Sequence, residues 1–167
     1  MKFKGRAWTF GDDIDTDVII SGKYLRGEDP KVWGEHVFEV LGKEHSSKIK
    51  PGDIIVGGDN FGCGSSREQA AIAIKEAGAS AVVAGSFGRI FFRNAVNIGL
   101  PVFVCPDIKT ASISDEDEIE IDMNQGRLVF KDKVLKVEKL PDFMVNIINA
   151  GGLLNYYNKF EANNVKT

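Results

Sequence analysis

The sequence predicts an α/β domain with a core of parallel strands and covering helices. Three short apolar segments, residues 53–56, 80–84 and 101–104, alternate with two stretches of good helix formers, residues 66–77 and 87–97. Apolar runs of this length between turn residues are typical of buried strands, and strands that alternate with helices favour a parallel sheet. Ligands of such sheets bind at the loops beyond the carboxyl ends of the strands, so we expect the functional residues there.

The remaining segments extend this core within one domain. Further strands are predicted over residues 5–10, 117–122, 128–130 and 134–137, and further helices begin at Pro30 and cover residues 141–150 and 153–160. We assign residues 1–160 to a single domain, because a chain of 167 residues suits one such unit. Residues 161–167 are assigned to a polar C-terminal tail.

Composition argues against several classes of function. The net charge of −3 gives no support to a nucleic-acid-binding surface. No apolar run approaches the roughly 20 residues of a membrane span, and no apolar segment of signal-peptide length follows the first residues. We therefore expect a cytoplasmic protein that binds neither nucleic acid nor membrane.

Residue types that bind metals are sparse. The chain has two cysteines, Cys63 and Cys105, and two histidines, His36 and His45. Two cysteines cannot complete a four-thiolate iron–sulfur or zinc site. The histidines lie in a polar stretch without ligand spacing, so we expect them at the surface. We expect no metal on this chain, and any metal chemistry would come from a partner.

The segment that follows the first core strand, residues 59–68 (Asp-Asn-Phe-Gly-Cys-Gly-Ser-Ser-Arg-Glu), carries the strongest chemical signal. Its two glycines allow a sharp turn and the close approach of a ligand. Ser65 with Glu68 three residues later matches a capping box, so we expect a helix to begin there, with N–H groups that can hold an anion. Arg67 adds a planar guanidinium suited to carboxylate or phosphate. A simple helix cap with a solvated arginine explains the same residues equally well, and a P-loop fits less well because no Gly-Lys-Ser/Thr follows.

Two other segments carry candidate residues. Residues 11–17 form an acidic turn with four aspartates, but they lack the glycine and final glutamate of a calcium loop. Asp17 precedes an apolar segment, which makes it a candidate for a partly buried carboxylate. Arg89 and Arg93 lie four residues apart on one face of a predicted helix, where they either face a ligand or pair with the acidic turn.

Four motifs occur together and in order. They are residues 11–17 (Gly-Asp-Asp-Ile-Asp-Thr-Asp), 23–25 (Lys-Tyr-Leu), 60–68 (Asn-Phe-Gly-Cys-Gly-Ser-Ser-Arg-Glu) and 86–94 (Ser-Phe-Gly-Arg-Ile-Phe-Phe-Arg-Asn). In this combination the sequence resembles, over residues 3–158, the family of small subunits of 3-isopropylmalate dehydratase and homoaconitase, which is similar to the swivelling domain of aconitase. The resemblance implies a swivelling β/β/α domain. It also implies a separate large subunit, in a heterodimer or heterotetramer, that carries a [4Fe–4S] cluster.

The resemblance further implies roles for individual residues. Ser65 matches the serine that acts as an alkoxide-like base and removes the substrate's C–H proton. Ser66 and Arg67 would hold a substrate carboxylate, while Asp17 and Thr16 would help to bind and order the substrate. The cluster iron on the partner would act as a Lewis acid on the departing hydroxyl.

The implied reaction is the dehydration of a small 2-hydroxy di- or tricarboxylate and its rehydration with the hydroxyl on the adjacent carbon. The leading substrate is 3-isopropylmalate, an intermediate of leucine biosynthesis. Arg26 lies in the loop that contacts the variable substituent, and an arginine suits the additional carboxylate of homoaconitase substrates. A buried guanidinium beside an isopropyl group would be left unpaired. A homoaconitase-type or relaxed-specificity subunit, and a non-catalytic anion-binding module, therefore stay open as alternatives.

Overall fold

The computed structural model describes residues 1–27 and 29–164, which form one seven-stranded sheet with helices against it. The strands are β1 (Lys2–Thr9), β2 (Ile54–Gly57), β3 (Ala81–Ala84), β4 (Val102–Val104), β5 (Glu118–Asp122), β6 (Arg127–Phe130) and β7 (Lys133–Lys136). The helices are α1 (Thr16–Ile19), α2 (Pro30–Glu35), α3 (Glu44–Lys48), α4 (Glu68–Glu76), α5 (Arg89–Asn97), α6 (Asp142–Asn149) and α7 (Leu153–Asn164). Short 3₁₀ turns cover Gly22–Tyr24, Glu39–Leu41 and Ile108–Ala111.

The sheet has a parallel half and an antiparallel half. Its strand order is β4-β3-β2-β1-β5-β6-β7. Strands β1 to β4 pair in parallel, whereas β5 pairs antiparallel with β1 and is followed by antiparallel β6 and β7. The connections β2-α4-β3 and β3-α5-β4 step in the same direction, and their usual right-handedness places both helices on one face. The loops after β2 and β3 therefore lie side by side at the carboxyl edge of the parallel strands.

Each face of the parallel strands packs against its own hydrophobic core. Ile55 and Val82 belong to the core that is shared with α1, α2, α4, α5 and α6. Ile54 and Val83 point to the other side, where residues of β5, β6 and a 3₁₀ turn complete a second core. Burial on both faces explains why β2 and β3 are apolar throughout instead of alternating. The predicted α/β class with covering helices is confirmed.

The observed helices differ from the predicted ones in two respects. The short helices α1 and α3 are not predicted by the sequence, since four or five residues are too few to show a helical period. Helix α7 continues to Asn164, so the first part of the predicted polar tail is helical. Residues 165–167 of that tail lie outside the described residues. Within residues 1–27 and 29–164, no helix combines the length and the apolar character needed to cross a membrane.

A buried carboxylate ties β1 to the start of β2. Asp53, whose side chain is 6% exposed, accepts hydrogen bonds from Trp8 Nε1 at 2.7 Å, from Nε and Nη2 of Arg6 at 3.2 and 2.9 Å, and from the N–H of Lys50 at 2.9 Å. Burial by itself raises the pKa of Asp53, but the hydrogen bonds from Trp8 and Arg6 outweigh it, and the pKa lies below its usual value. The ionised form of Asp53 therefore stabilises the fold.

We expect Asp53→Asn to lower the free energy of unfolding by about 2–4 kcal/mol, since it leaves Arg6 and Trp8 without an ionised acceptor. The pKa of Asp53 is lower in the folded than in the unfolded chain. Its contribution is therefore complete above the ordinary aspartate pKa of about 3.9 and is lost as the pH falls through the folded pKa. Denaturant titrations at neutral and acidic pH measure both effects.

Glu118→Gln is the matched control, because Glu118 pairs with Lys4 at the surface and its side chain is 67% exposed. This change should alter the free energy of unfolding little. An equal loss in the two variants would mean that the buried network around Asp53 has no special role.

Candidate active site

The loop between β2 and α4, residues 58–67, is shaped by two glycines; we call it the serine loop. Gly62 has a φ of +76° and Gly64 a φ of +88°, a region that residues with a side chain rarely adopt. A Cβ on Gly62 would lie 2.2 Å from Cγ of Phe91, and a Cβ on Gly64 would lie 2.2 Å from Oδ2 of Asp15. Glycine at these positions therefore lets the loop turn sharply and lie directly against its neighbours.

On one side, backbone hydrogen bonds join the serine loop to the acidic turn. The N–H of Gly62 donates to the carbonyl of Ile14 at 2.7 Å, and the N–H of Thr16 donates to the carbonyl of Cys63 at 2.9 Å. These contacts resemble one step of a parallel sheet between two loops. They fix the start of α1 against the segment that carries the serines.

On its other side, the serine loop is held by the loop that follows β3. The N–H of Phe61 donates to the carbonyl of Ser86 at 3.0 Å, and the N–H of Gly88 donates to the carbonyl of Phe61 at 2.9 Å. The ring of Phe61 is fully buried and packs edge-to-face against Phe87 and Phe91. The loop is thus anchored by both flanking segments and by an aromatic cluster below it.

The predicted capping box at the start of α4 is wrong. The helix begins at Glu68, with Arg67 at its N-cap position and no side chain capping it. The hydroxyl of Ser65 instead lies 3.0 Å from Oγ1 of Thr16. The attachment of the loop to the acidic turn explains the difference, since it directs Ser65 toward α1. Ser65 and Ser66 are both exposed beside the uncapped end of the helix.

Asp17 and Arg67 form an ion pair between α1 and the serine loop. Arg67 donates through Nη1 to the Asp17 carboxylate and to the carbonyl of Ile20 at 3.5 Å. In the described part of the chain, Nε and Nη2 of Arg67 donate no hydrogen bond. The guanidinium lies beside Gly22, where the next loop begins. One edge of Arg67 is therefore used within the protein, and the other edge is open to a ligand.

Arg26 lies beyond an anchored tyrosine in this next loop. The hydroxyl of Tyr24 donates to Glu39, its ring stacks on His36 with the centroids 3.8 Å apart, and its carbonyl accepts from Trp33 Nε1 at 3.2 Å. Arg26 itself is exposed. Among the described residues, Arg26 and Ser66 make no hydrogen bond or ion pair with the other candidate residues. The structure brings together Thr16 with Ser65 and Asp17 with Arg67. It does not bring Arg26 or Ser66 into contact with them.

The prediction that both histidines lie at the surface holds in part, because both are partly exposed and partly buried. The polar neighbours of His36 suggest exposure, but Tyr24, twelve residues earlier, supplies a stacking partner that no local pattern shows. His45 lies with its ring 5.9 Å from that of Phe10. Their half-buried positions follow from tertiary contacts alone.

The first aspartates of the acidic turn have structural partners of their own. Lys109 Nζ lies 2.8 Å from the Asp12 carboxylate and 2.6 Å from that of Asp59, and Asn60 Nδ2 donates to Asp13 at 2.8 Å. The hydrogen bond from Lys109 lowers the pKa of Asp12. Lys109 is a supporting residue that sequence reasoning missed, since about 50 positions separate it from the loop it stabilises.

Arg89 and Arg93 do not pair with the acidic turn within residues 1–27 and 29–164. Both are exposed on α5. With Phe87, Phe92 and Val104 they line an open groove beside the carboxyl end of β4. Of the two roles left open for them, pairing with the acidic turn is therefore wrong, and a ligand-facing role stays a prediction.

The residues of this chain do not fit an iron–sulfur cluster. Cys105 is fully buried, and burial raises the pKa of its thiol to about 11. Burial and the neighbouring Asp15 also raise the pKa of Cys63, whereas cluster ligands are thiolates. In the described part of the chain, no group of three or more His, Cys, Asp or Glu side chains is arranged to hold a metal ion.

Comparison with known families gives a match over just more than half of the chain. Residues 19–105 match the aconitase C-terminal domain. This range includes the serine loop and the loop with Arg26, but it begins after the acidic turn.

Individual relatives match almost the whole chain. The chain is 52% identical to the 3-isopropylmalate dehydratase small subunit of Thermodesulfovibrio yellowstonii, covering 95% of each chain. It is 48% identical to the 2,3-dimethylmalate dehydratase small subunit of Eubacterium barkeri, covering 96% of this chain and 99% of that one. The crystal structure of 3-isopropylmalate dehydratase (leuD) from Methanocaldococcus jannaschii superimposes with a TM-score of 0.93 at 47% identity, covering 99% of both chains.

Gly64→Ala should destabilise the serine loop, because alanine disfavours a φ of +88° and its Cβ would meet the Asp15 carboxylate. We expect the free energy of unfolding to fall by at least about 1–2 kcal/mol, as measured by denaturant titration. Gly11→Ala is the control, since a Cβ at Gly11 meets no atom within 4 Å. Equal stability of the two variants would contradict the close contact between Gly64 and Asp15.

Proposed function

The chain belongs to the aconitase C-terminal domain family, and from this premise we propose that it is the small subunit of a two-subunit hydro-lyase. The leading reaction interconverts 2-isopropylmalate and 3-isopropylmalate by loss and re-addition of water. The names of relatives at 51–52% identity support this substrate. The words "small subunit" in those names also imply a partner large subunit.

The observation that carries the proposal is the placement of the Ser65 hydroxyl. Ser65 is an exposed residue just before the uncapped N-terminus of α4 and two residues from Arg67. A serine hydroxyl is too weak an acid to serve as a base unless its ionised form is stabilised. The positive end of the helix dipole and a nearby guanidinium both favour a negative charge at this position. The site therefore suits a serine that acts as an alkoxide.

In the proposed reaction, ionised Ser65 removes a proton from the carbon next to the one that bears the hydroxyl group. The electron pair of the broken C–H bond forms a carbon–carbon double bond, and the hydroxyl group departs. Water then adds its hydroxyl to the carbon that lost the proton, and its remaining proton neutralises the departed hydroxide. Ser65 gives its proton to the carbon that lost the hydroxyl. Substrate and product are thus isomers, and the serine ends each cycle in its initial state.

Arg67 is suited to hold a substrate carboxylate without losing its ion pair. Asp17 occupies Nη1 of Arg67, which leaves Nε and Nη2 as two parallel donors for a carboxylate. Ser66 directly precedes Arg67 in the sequence and is exposed, so we propose its hydroxyl as a further donor for the same group. In this arrangement Asp17 orders Arg67 and does not compete with the substrate.

We further propose that the large subunit holds the [4Fe–4S] cluster and closes the site over the substrate. The two thiols of this chain do not fit a cluster, for the reasons given above. Ser65, Ser66 and Arg26 are exposed. This exposure is expected of half a site that is completed by another chain. When present, the cluster would supply a Lewis acid for the departing hydroxyl.

Arg26 keeps the choice of substrate open between a branched dicarboxylate and a tricarboxylate. It is exposed, and Tyr24 anchors the backbone two residues before it. An arginine at this position favours a substrate with an additional carboxylate, as in homoaconitase. A relative named for 2,3-dimethylmalate also has similar identity to this chain. We keep 3-isopropylmalate as the leading substrate and a homoaconitase-type or relaxed enzyme as the alternative.

The proposal is tested by combining this chain with a cluster-bearing large subunit and measuring hydration and dehydration of 2-hydroxy acids. Neither chain should turn over alone, and iron should copurify with the large subunit. Ser65→Ala should reduce kcat by about a thousandfold or more with little change in KM, because it removes the base.

Ser114→Ala, at an exposed position outside the candidate site, is the matched control and should be fully active. Retention of more than a tenth of the wild-type kcat in Ser65→Ala would refute the role of Ser65. Anion binding by this chain without turnover in any reconstituted complex would instead support the non-catalytic module.

Substrate choice is tested by comparing kcat/KM for 3-isopropylmalate with kcat/KM for cis-homoaconitate, in the wild type and in Arg26→Val. If Arg26 contacts a carboxylate, valine should shift the ratio toward isopropylmalate by about tenfold, or roughly 1.4 kcal/mol. An unchanged ratio would show that Arg26 points away from the substrate. Lys31→Val is the control, because it also replaces an exposed, positively charged side chain by valine.

A further inference from the structure

The side chain of Thr16 is buried against the exposed serine. Thr16 is only 1% exposed, and its Oγ1 lies 3.0 Å from Oγ of Ser65 and 3.3 Å from the carbonyl oxygen of Ser65. A threonine hydroxyl has one proton and can also accept. It therefore can donate to either oxygen of Ser65, but to only one at a time.

The O–H bond of Thr16 can rotate, but the oxygen that bears it cannot move away from Ser65. Its N–H donates to the carbonyl of Cys63 at 2.9 Å, and its carbonyl accepts from the N–H of Ile20 at 3.0 Å. Its branched side chain is also restricted about χ1. The hydroxyl is thus held beside Ser65, and burial keeps water from replacing it.

We propose that Thr16 is a positioning residue whose hydroxyl changes its acceptor with the charge of Ser65. When Ser65 is neutral, its hydroxyl donates to Oγ1 of Thr16, and Thr16 donates to the Ser65 carbonyl. When Ser65 is ionised, Thr16 turns and donates to the charged Oγ. Thr16 stays neutral in both states and transfers no proton. This assignment rests on the proposed role of Ser65 as base and replaces direct contact of Thr16 with the substrate.

The energetic consequence is selective stabilisation of the charged form. A hydrogen bond to an ionised oxygen is stronger than one to a neutral hydroxyl. Rotation of the Thr16 hydroxyl therefore stabilises the alkoxide more than it stabilises neutral Ser65. The donor is already in place, so little reorganisation accompanies ionisation. Thr16 thus supplies a third contribution besides the helix N-terminus and Arg67.

The reconstituted complex of both subunits tests this role with Thr16→Val, which keeps the shape and removes the hydroxyl. We expect kcat to fall about 10-fold to 100-fold, the effect of losing one hydrogen bond to a charged group, with KM and the unfolding midpoint nearly unchanged. Thr16→Ser should restore most of the activity. Thr110→Val, which removes an exposed hydroxyl that donates to the Asp107 carbonyl, is the matched control.

Isotope effects separate this role from a purely structural one. With substrate deuterated at the carbon that loses its proton, the isotope effect on kcat in Thr16→Val should equal or exceed that of the wild type, because proton removal is the slowed step. A smaller isotope effect, or a Thr16→Ser variant as slow as Thr16→Val, would overturn the proposal.

Ser65→Ala, measured in parallel, distinguishes failure of this inference from failure of the proposed function. If Ser65→Ala is inactive while Thr16→Val keeps the wild-type kcat, only the role of Thr16 is refuted. If Ser65→Ala is active, the assignment of the base fails and the inference fails with it.

Discussion

The attachment of the serine loop to two flanking loops is the constraint on which the site depends. Backbone hydrogen bonds join the loop to the acidic turn and to the loop after β3, and the close approach requires glycine at positions 62 and 64. Parallel strands bring all three segments to one edge of the sheet, because their carboxyl ends align. The position of Ser65 is therefore determined by the topology of the whole parallel half.

The residues that stabilise the fold and the residues of the candidate site lie in different parts of the sheet. The two hydrophobic cores lie on the faces of the sheet, and the buried Asp53 network ties β1 to β2 at the opposite end of the strands from the serine loop. Polar side chains at the carboxyl edge of the parallel strands can therefore lack some hydrogen bonds without weakening the hydrophobic cores. Asp17 and Arg67 illustrate this arrangement, since their ion pair joins α1 to the loop while one edge of the guanidinium is left for a ligand.

The sequence predicts what depends on local pattern and misses what depends on contacts between distant segments. Apolar runs separated by helices predict the parallel strands and the position of the serine loop, and the motif resemblance makes Ser65 and Arg67 candidate site residues. The capping box fails because local spacing pairs Ser65 with Glu68, whereas tertiary structure pairs it with Thr16. The partners of Asp59 and Tyr24 are likewise invisible in the sequence, since Lys109 and His36 lie far from them along the chain.

If Ser65 is the base and the loop with Arg26 contacts the substituent, the division between a fixed base and an adaptable loop would account for the different substrates named among the relatives. Relatives named for 3-isopropylmalate and for 2,3-dimethylmalate are similar to this chain over nearly its full length. Overall identity therefore says little about which substituent is accepted. The proposed proton transfer depends on the serine loop, which is held on both sides, and on Thr16 beside it. Selectivity would depend on the side chains beyond Tyr24, where the backbone is anchored but Arg26 is exposed. On this proposal, a new side chain at the end of one loop would change the substrate and leave the position of the base unchanged.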